Sequence, residues 1–204
     1  MERVSDLGPI AVVGAISGLL LERLAARLCA GAPPLGPRAV ICGLGMGLST
    51  PVLMASSASA DDFVVAATLL AVLLTAALTD LQERRIPNCL TGGGLALVIA
   101  FTALLEPQAV AQRLIFALLV FTFFLLAAVL RPGGLGLGDV KLVAVMGAAL
   151  GAASVTAIGL ALVGAALFGA AIASRRGWSR ARSATVPLAP FLAGGSLVIL
   201  LLTG

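Results

Sequence analysis

The sequence contains no histidine and only one lysine among its 204 residues. The missing histidine excludes Ser–His proteases and H-E-x-x-H zinc proteases, because both need imidazole as a base or ligand. Lys141 leaves a Ser–Lys dyad open in principle. It stands two residues from Asp139, however, and is better interpreted as a neighbour of that residue or as an interfacial cation. Carboxylates are therefore almost the only groups left for acid–base catalysis.

Charged residues of either sign are also scarce, at 11% of the chain against 60% hydrophobic residues. This composition lies far outside the range of soluble domains, and no hydrophilic stretch is long enough to fold separately. The net charge of +4 is spread over short segments between apolar runs, which argues against a nucleic-acid partner. The composition predicts an all-α polytopic membrane protein surrounded by lipid.

The three cysteines, Cys29, Cys42 and Cys89, form no C-x-x-C pair. We expect them to be small buried apolar residues rather than disulfide partners or metal ligands. No metal site and no organic cofactor are predicted.

The apolar runs predict eight membrane spans, since each crossing takes about 20 apolar residues. The spans lie near residues 8–28, 39–58, 63–80, 88–105, 109–130, 138–150, 152–174 and 186–203. The first run is interpreted as a retained span rather than a signal peptide, because no small-residue cleavage site follows it. The sixth is short for a full crossing and is expected to start from a glycine-rich re-entrant approach.

Loop charge gives this layout an orientation. The loops are numbered in chain order, so that loop 1 joins the first two predicted spans. Of the 13 lysines and arginines, all except Arg3 and Arg113 lie in or beside the odd-numbered loops. The positive-inside rule therefore places these loops in the cytoplasm and both termini outside. The basic segment 175–182 is expected to anchor one loop and to contact anionic lipid. In this orientation Asp80 and Asp139 lie on the same, cytoplasmic, membrane face.

Asp80 and Asp139 are the candidate catalytic residues. Either one alone is more often a solvated or capping helix end than a catalyst. If they share one site, like-charge repulsion raises one pKa, so that the pair can hold a single proton. One carboxylate then activates water while the protonated partner polarises a peptide carbonyl, as in aspartic proteases.

The residues around the two aspartates resemble the motifs of type IV prepilin peptidases, which are GxGD-type intramembrane aspartic proteases. The first is Asp80-x5-Ile86-Pro87-Asn88 and the second is Gly136-x-Gly138-Asp139-x-Lys141. Segments 147–151 and 186–192 also match, and the resemblance covers residues 62–204. Many members carry two C-x-x-C pairs in an N-terminal methyltransferase region. Residues 1–61 lack them and look like a two-helix remnant, so peptidase-only members are the closer comparison.

The resemblance implies a six-helix peptidase core over 62–204, preceded by two N-terminal helices. It implies that Asp80 and Asp139 are catalytic. Because the implied leader is basic, the acidic Glu83 is a candidate contact for it, together with the two aspartates. The residues that shape the motifs would be Gly136, Gly138, Pro87, Asn88 and Lys141. The implied activity is removal of short basic leaders from prepilins or pseudopilins at the cytoplasmic face of the bacterial inner membrane.

Two other functions remain open. A small proton-coupled transporter would use the aspartates as a relay, but it predicts acids near the bilayer midplane and an internal inverted repeat. A catalytically inactive pilus assembly factor would keep the fold without the chemistry, although both motif aspartates are present. The oligomeric state is not predicted.

Overall fold

A computed structural model describes residues 37–56, 60–131, 135–176 and 187–203, together with positions 12 and 16. These residues are almost entirely helical and include no strand, which confirms the all-α prediction. The helices with described bounds are α1 (Pro37–Ser56), α2 (Ala60–Glu83), α3 (Asn88–Leu105), α4 (Val110–Leu130), α5 (Leu137–Leu150), α6 (Ala153–Arg176) and α7 (Ala189–Thr203). A short 3-10 turn, Pro107–Ala109, joins α3 to α4.

Four segments in the described part of the chain are long and apolar enough to cross a membrane. They are Asp62–Glu83, Asn88–Leu105, Pro107–Leu130 and Ala153–Arg175, and they identify a membrane protein. The apolar stretch of α1 and the whole of α7 are shorter, and α5 has only 14 residues. The predicted count of eight spans is therefore not confirmed. The first predicted span, 8–28, lies outside the described residues except at Val12 and Ile16.

Helix α5 lies at the centre of the bundle. It packs against α2, α3, α4, α6 and α7, and every residue from 142 to 149 is buried. A helix enclosed on all sides needs apolar residues around its whole circumference, and α5 has them. The two ends of α5 are consequently the parts of this helix where polar groups are exposed or specifically bonded.

Two glycines allow neighbouring helices to approach closely. A Cβ on Gly147 of α5 would lie 2.8 Å from the Cα of Ala117 on α4. A Cβ on Gly195 of α7 would overlap the carbonyl oxygen of Ala157 on α6. Small residues at such crossings let backbones pack directly, which is a main source of helix association in lipid.

Arg113 fixes the carboxyl-terminal end of α5. Its Nη1 donates to the carbonyl oxygen of Ala149 at 2.6 Å, and its Nη2 pairs with Glu106 Oε2 at 2.7 Å. Gly151 then ends the helix with φ 55°, a conformation that glycine adopts without strain. A cavity of about 430 Å³ adjoins this end, between the start of α2 and the end of α7.

The expectation of unpaired cysteines is wrong for Cys89, which is disulfide-bonded. Cys89 is exposed in the first turn of α3, and the other two cysteines are distant from it in sequence. Spacing along the chain does not reveal such a pairing. The side chains of the other two cysteines lie outside the described part of the structure.

Candidate active site

Asp80 lies in the last turn of α2, at the end of a long apolar run. Its side chain is half-buried, and its carbonyl oxygen accepts the Arg84 N–H at 3.0 Å. Arg84 follows with φ 51°, the left-handed conformation that commonly terminates helices. The chain therefore leaves the direction of the helix within four residues of Asp80. Glu83, the last residue of α2, is exposed.

Pro87 separates α2 from α3, as the sequence predicts for a residue that cannot continue a helix. It is the N-cap of α3, with φ −62° and ψ 136°. Its carbonyl oxygen accepts the N–H groups of Leu90 and Thr91 at 3.1 and 3.3 Å. This turn brings Ile86 and Asn88 to the same end of the bundle as Asp80.

Asp139 lies in the first turn of α5. Gly136 is the N-cap, and its carbonyl oxygen accepts the Val140 N–H at 3.2 Å. The backbone N–H of Gly136 hydrogen-bonds back to the Asp139 carboxylate, which is one half of the reciprocal pattern known as a capping box. Asp139 thus caps its helix, and this contact orients the carboxylate toward the helix start.

The two motif glycines leave room for specific neighbours. A Cβ on Gly138 would lie 3.0 Å from the Cβ of Ile86, so the turn before α3 rests directly on the first turn of α5. A Cβ on Gly136 would lie 3.2 Å from Asp139 Oδ2. Both glycines therefore help to position Asp139. Gly138 leaves room for the turn at Ile86, and Gly136 leaves room for the Asp139 carboxylate.

If the protein has the leader-peptidase activity that the sequence resemblance implies, we expect Gly138→Ala to lower its rate about tenfold, because the new methyl group displaces the turn at Ile86 by a few tenths of an ångström. Catalytic geometry is sensitive on this scale, since a shift of about 1 Å can cost about a hundredfold in rate. The measurement is the initial rate of leader cleavage in liposomes. Gly93→Ala is the matched control, because a Cβ there meets nothing within 4 Å. Equal rates for the two variants would show that the close approach of Gly138 to Ile86 does not affect the rate.

The carboxyl groups of Asp80 and Asp139 are close enough for their charges to interact. Burial raises the pKa of Asp139 to about 6, and the Asp80 carboxylate adds to the rise, while the Gly136 hydrogen bond lowers it. Asp139 lies outside the four segments identified as membrane-spanning. Its Oδ1 atom is buried with no hydrogen-bond partner among the described residues. An acid with a raised pKa beside a second carboxylate is a common arrangement at catalytic sites.

Helix α7 also contacts the candidate site, at Asp80. The backbone N–H of Ala189, the first residue of α7, donates to Asp80 Oδ2 at 3.3 Å. Segment 186–192 resembles a family motif in sequence, but that resemblance alone does not predict a role at the site. The flanking Pro187 and Pro190 were the available signal, because prolines are frequent at helix starts.

Lys141 and Asn88 join the two motifs. Lys141 Nζ donates to Asn88 Oδ1 at 2.8 Å, linking the first turns of α3 and α5 across exposed surface. The structure thus brings together, at one end of the bundle, the residues proposed from the two motifs: Asp80, Pro87, Asn88, Gly136, Gly138, Asp139 and Lys141. No group of three or more potential metal ligands occurs within the described ranges.

Comparison with known proteins gives one family. The model of the type IV leader peptidase family matches residues 67–174, more than half of the chain, and includes both aspartates. No curated protein and no solved structure matched the chain significantly. The family match supports a peptidase and confirms the resemblance inferred from the two motifs. The chain belongs to the type IV leader peptidase family.

Proposed function

We propose that the protein is an intramembrane aspartic endopeptidase that removes short basic leaders from prepilin or pseudopilin substrates. The observation that carries this proposal is the approach of Asp80 and Asp139 from two different helices, close enough for their charges to interact. The family match supports peptidase activity in general. The site would face the cytoplasm from the bacterial inner membrane, as loop charge predicts.

The proposed reaction is hydrolysis of one peptide bond without a covalent enzyme intermediate. The ionised aspartate takes a proton from water, and the resulting hydroxide forms a bond to the peptide carbonyl carbon. The protonated aspartate gives its proton to the carbonyl oxygen, which produces a tetrahedral diol. The first aspartate then protonates the leaving nitrogen as the C–N bond breaks, and the second recovers a proton from a diol hydroxyl. Both aspartates return to their starting states.

Two negative charges at this end of the bundle can contact a basic leader. Glu83 and the ionised aspartate of the pair supply negative charge around the proposed site, beside the basic residues Arg84, Arg85 and Lys141. The substrate would be presented with its cleaved segment extended, because a helix keeps its carbonyls in internal hydrogen bonds. We therefore assign Glu83 to leader contact and the two aspartates to bond cleavage.

We also propose a division of the chain at about residue 61. Residues 62–204 would form the peptidase core, and the matched segment 67–174 falls within it. Residues 1–61 would be a two-helix remnant of the methyltransferase region. The protein would then cleave its substrate without methylating the new N-terminus.

The proposal is tested by cleavage in liposomes that contain the purified protein and a membrane-anchored substrate with a basic leader. We expect a single cut at the junction of leader and apolar helix, identified by mass spectrometry of both products. The matched substrate has its leader lysines and arginines replaced by glutamine, and we expect it to be cut at least about tenfold more slowly, as a loss of about 1.4 kcal/mol in binding would give. Absence of any cleavage, or equal rates for both substrates, would contradict the proposed specificity.

A further inference from the structure

The two carboxyl groups of the pair have different surroundings. Asp80 Oδ2 accepts a hydrogen bond from the Ala189 N–H at 3.3 Å. Asp139 also accepts a backbone N–H, from Gly136, but its Oδ1 is buried and has no partner within the described residues. A hydrogen bond from an N–H group favours the ionised form of a carboxyl group, whereas a buried oxygen without a donor favours the neutral form. The surroundings therefore make the pair asymmetric.

The donor to Asp80 belongs to the first turn of α7. The N–H groups of Phe191 and Leu192 are already bonded to the Leu188 carbonyl oxygen, at 3.0 and 3.1 Å. Pro190 has no N–H, so Ala189 supplies the remaining backbone donor of this turn. Ala189 is fully buried, and bulk water does not compete for its N–H.

We propose that Ala189 is a positioning residue whose backbone N–H holds Asp80 as the base of the pair, which leaves Asp139 to carry the shared proton. This inference rests on the proposed peptidase function. Asp80 then takes the proton from the attacking water, and Asp139 gives its proton to the peptide carbonyl oxygen. In the second half of the reaction Asp80 protonates the leaving nitrogen, and Asp139 is protonated again by the diol.

The other described charges at this end of the bundle are exposed or hydrogen-bonded. Helices α3 and α7 contain no charged residue, and α5 contributes only Asp139 itself and Lys141, which is bonded to Asn88. On and after α2, the charged groups at this end are Glu83, Arg84 and Arg85, all exposed. On α1, Arg38 belongs to the stretch whose side chains are not described. Arg131, which follows α4, and Arg175, near the end of α6, are exposed as well.

The test removes the N–H of Ala189 without adding volume. Nonsense suppression or semisynthesis places L-lactic acid at position 189, so an ester oxygen replaces the amide N–H. The matched control is the same procedure with alanine reinserted. The rate of leader cleavage in liposomes is then measured between about pH 4 and pH 9 for both proteins.

The rate of the control protein is expected to be highest at an intermediate pH and to fall on both sides, which gives a low-pH limb and a high-pH limb. Activity is lost as the pH rises through about 6, because Asp139 loses the proton that it must donate. Activity is also lost at low pH, where the base gains a proton. In the lactate protein the rate at the acid end of the profile should fall by about tenfold, because the base has lost a hydrogen-bond donor, while the high-pH limb stays in place.

The outcomes separate this inference from the proposed function. A lactate protein with an unchanged rate at the acid end, or with a shift of the high-pH limb instead, overturns the role of Ala189 while the peptidase function stands. Absence of cleavage by the alanine-reinserted protein contradicts the peptidase function itself. A general structural defect would lower the rate at every pH without moving either limb, and that result also counts against the inference.

Infrared spectroscopy tests the location of the proton without any need for activity. At about pH 5 the band of a protonated, buried carboxyl group should be present in the native protein and in Asp80→Asn. The band should be absent from Asp139→Asn. Loss of the band in Asp80→Asn and its retention in Asp139→Asn would reverse the assignment.

Discussion

Asp80→Asn and Asp139→Asn are each expected to abolish leader cleavage, with rates at least about a thousandfold below the native protein. Each substitution removes one of two groups that transfer protons in the same reaction, and general acid–base catalysis contributes about a hundredfold to ten-thousandfold. Asparagine has nearly the same volume as aspartate, so the packing of α2 and α5 should persist. The measurement is the initial rate of cleavage at equal amounts of membrane-inserted protein.

Asp62→Asn is the matched control for these two variants. Asp62 is exposed at the opposite end of α2, in the first turn of the helix that carries Asp80. We expect its rate to stay within about twofold of the native rate, since surface substitutions usually have small effects. Retained cleavage by either asparagine variant of the pair would refute the two-aspartate mechanism.

Gly195→Ala is expected to have the largest effect on stability. The new Cβ would overlap the backbone carbonyl oxygen of Ala157, and backbone atoms cannot move aside as a flexible side chain can. Forcing extra volume into a packed core costs about 1–3 kcal/mol, and this contact between two backbones should reach the upper end of that range. We expect a lower unfolding temperature in detergent and reduced accumulation in the membrane.

The neighbouring residue provides the control. A Cβ on Gly194 meets nothing within 4 Å, so Gly194→Ala should change the free energy of unfolding by no more than about 0.5 kcal/mol. Both variants lose the same glycine flexibility in the same helix, and only the contact with Ala157 differs. Similar unfolding temperatures for the two variants would show that α6 and α7 do not pack as closely as described.

Much of the candidate site was predictable because its signals are local. An apolar run that ends at Asp80, a proline at 87 and glycines before Asp139 each determine the backbone within a few residues. The role of Ala189 could not be foreseen, since the group that contacts Asp80 is a backbone N–H that every residue except proline has. Only the packing of α7 against α2, across 109 positions of sequence, distinguishes this N–H from others.

Most of the fold was also predictable, because the signals that locate its helices are local. Apolar runs located α2 to α7 closely, because long hydrophobic stretches form helices in a membrane. Run length alone does not decide whether α5 or α7 crosses the bilayer, so the number of spans stays a prediction. The disulfide at Cys89 was missed because a pairing between distant residues has no local pattern.

The shortness of α5 has a consequence for how water reaches Asp139. Fourteen residues rise only about 21 Å, whereas the hydrocarbon layer is about 30 Å thick. Seating α5 in such a layer would leave a gap of about 9 Å at the ends of the helix. Because α5 is enclosed by other helices, protein borders this gap, and polar groups or water must fill it. The water for the proposed hydrolysis would then reach Asp139 through a recess in the protein and not through the surrounding lipid.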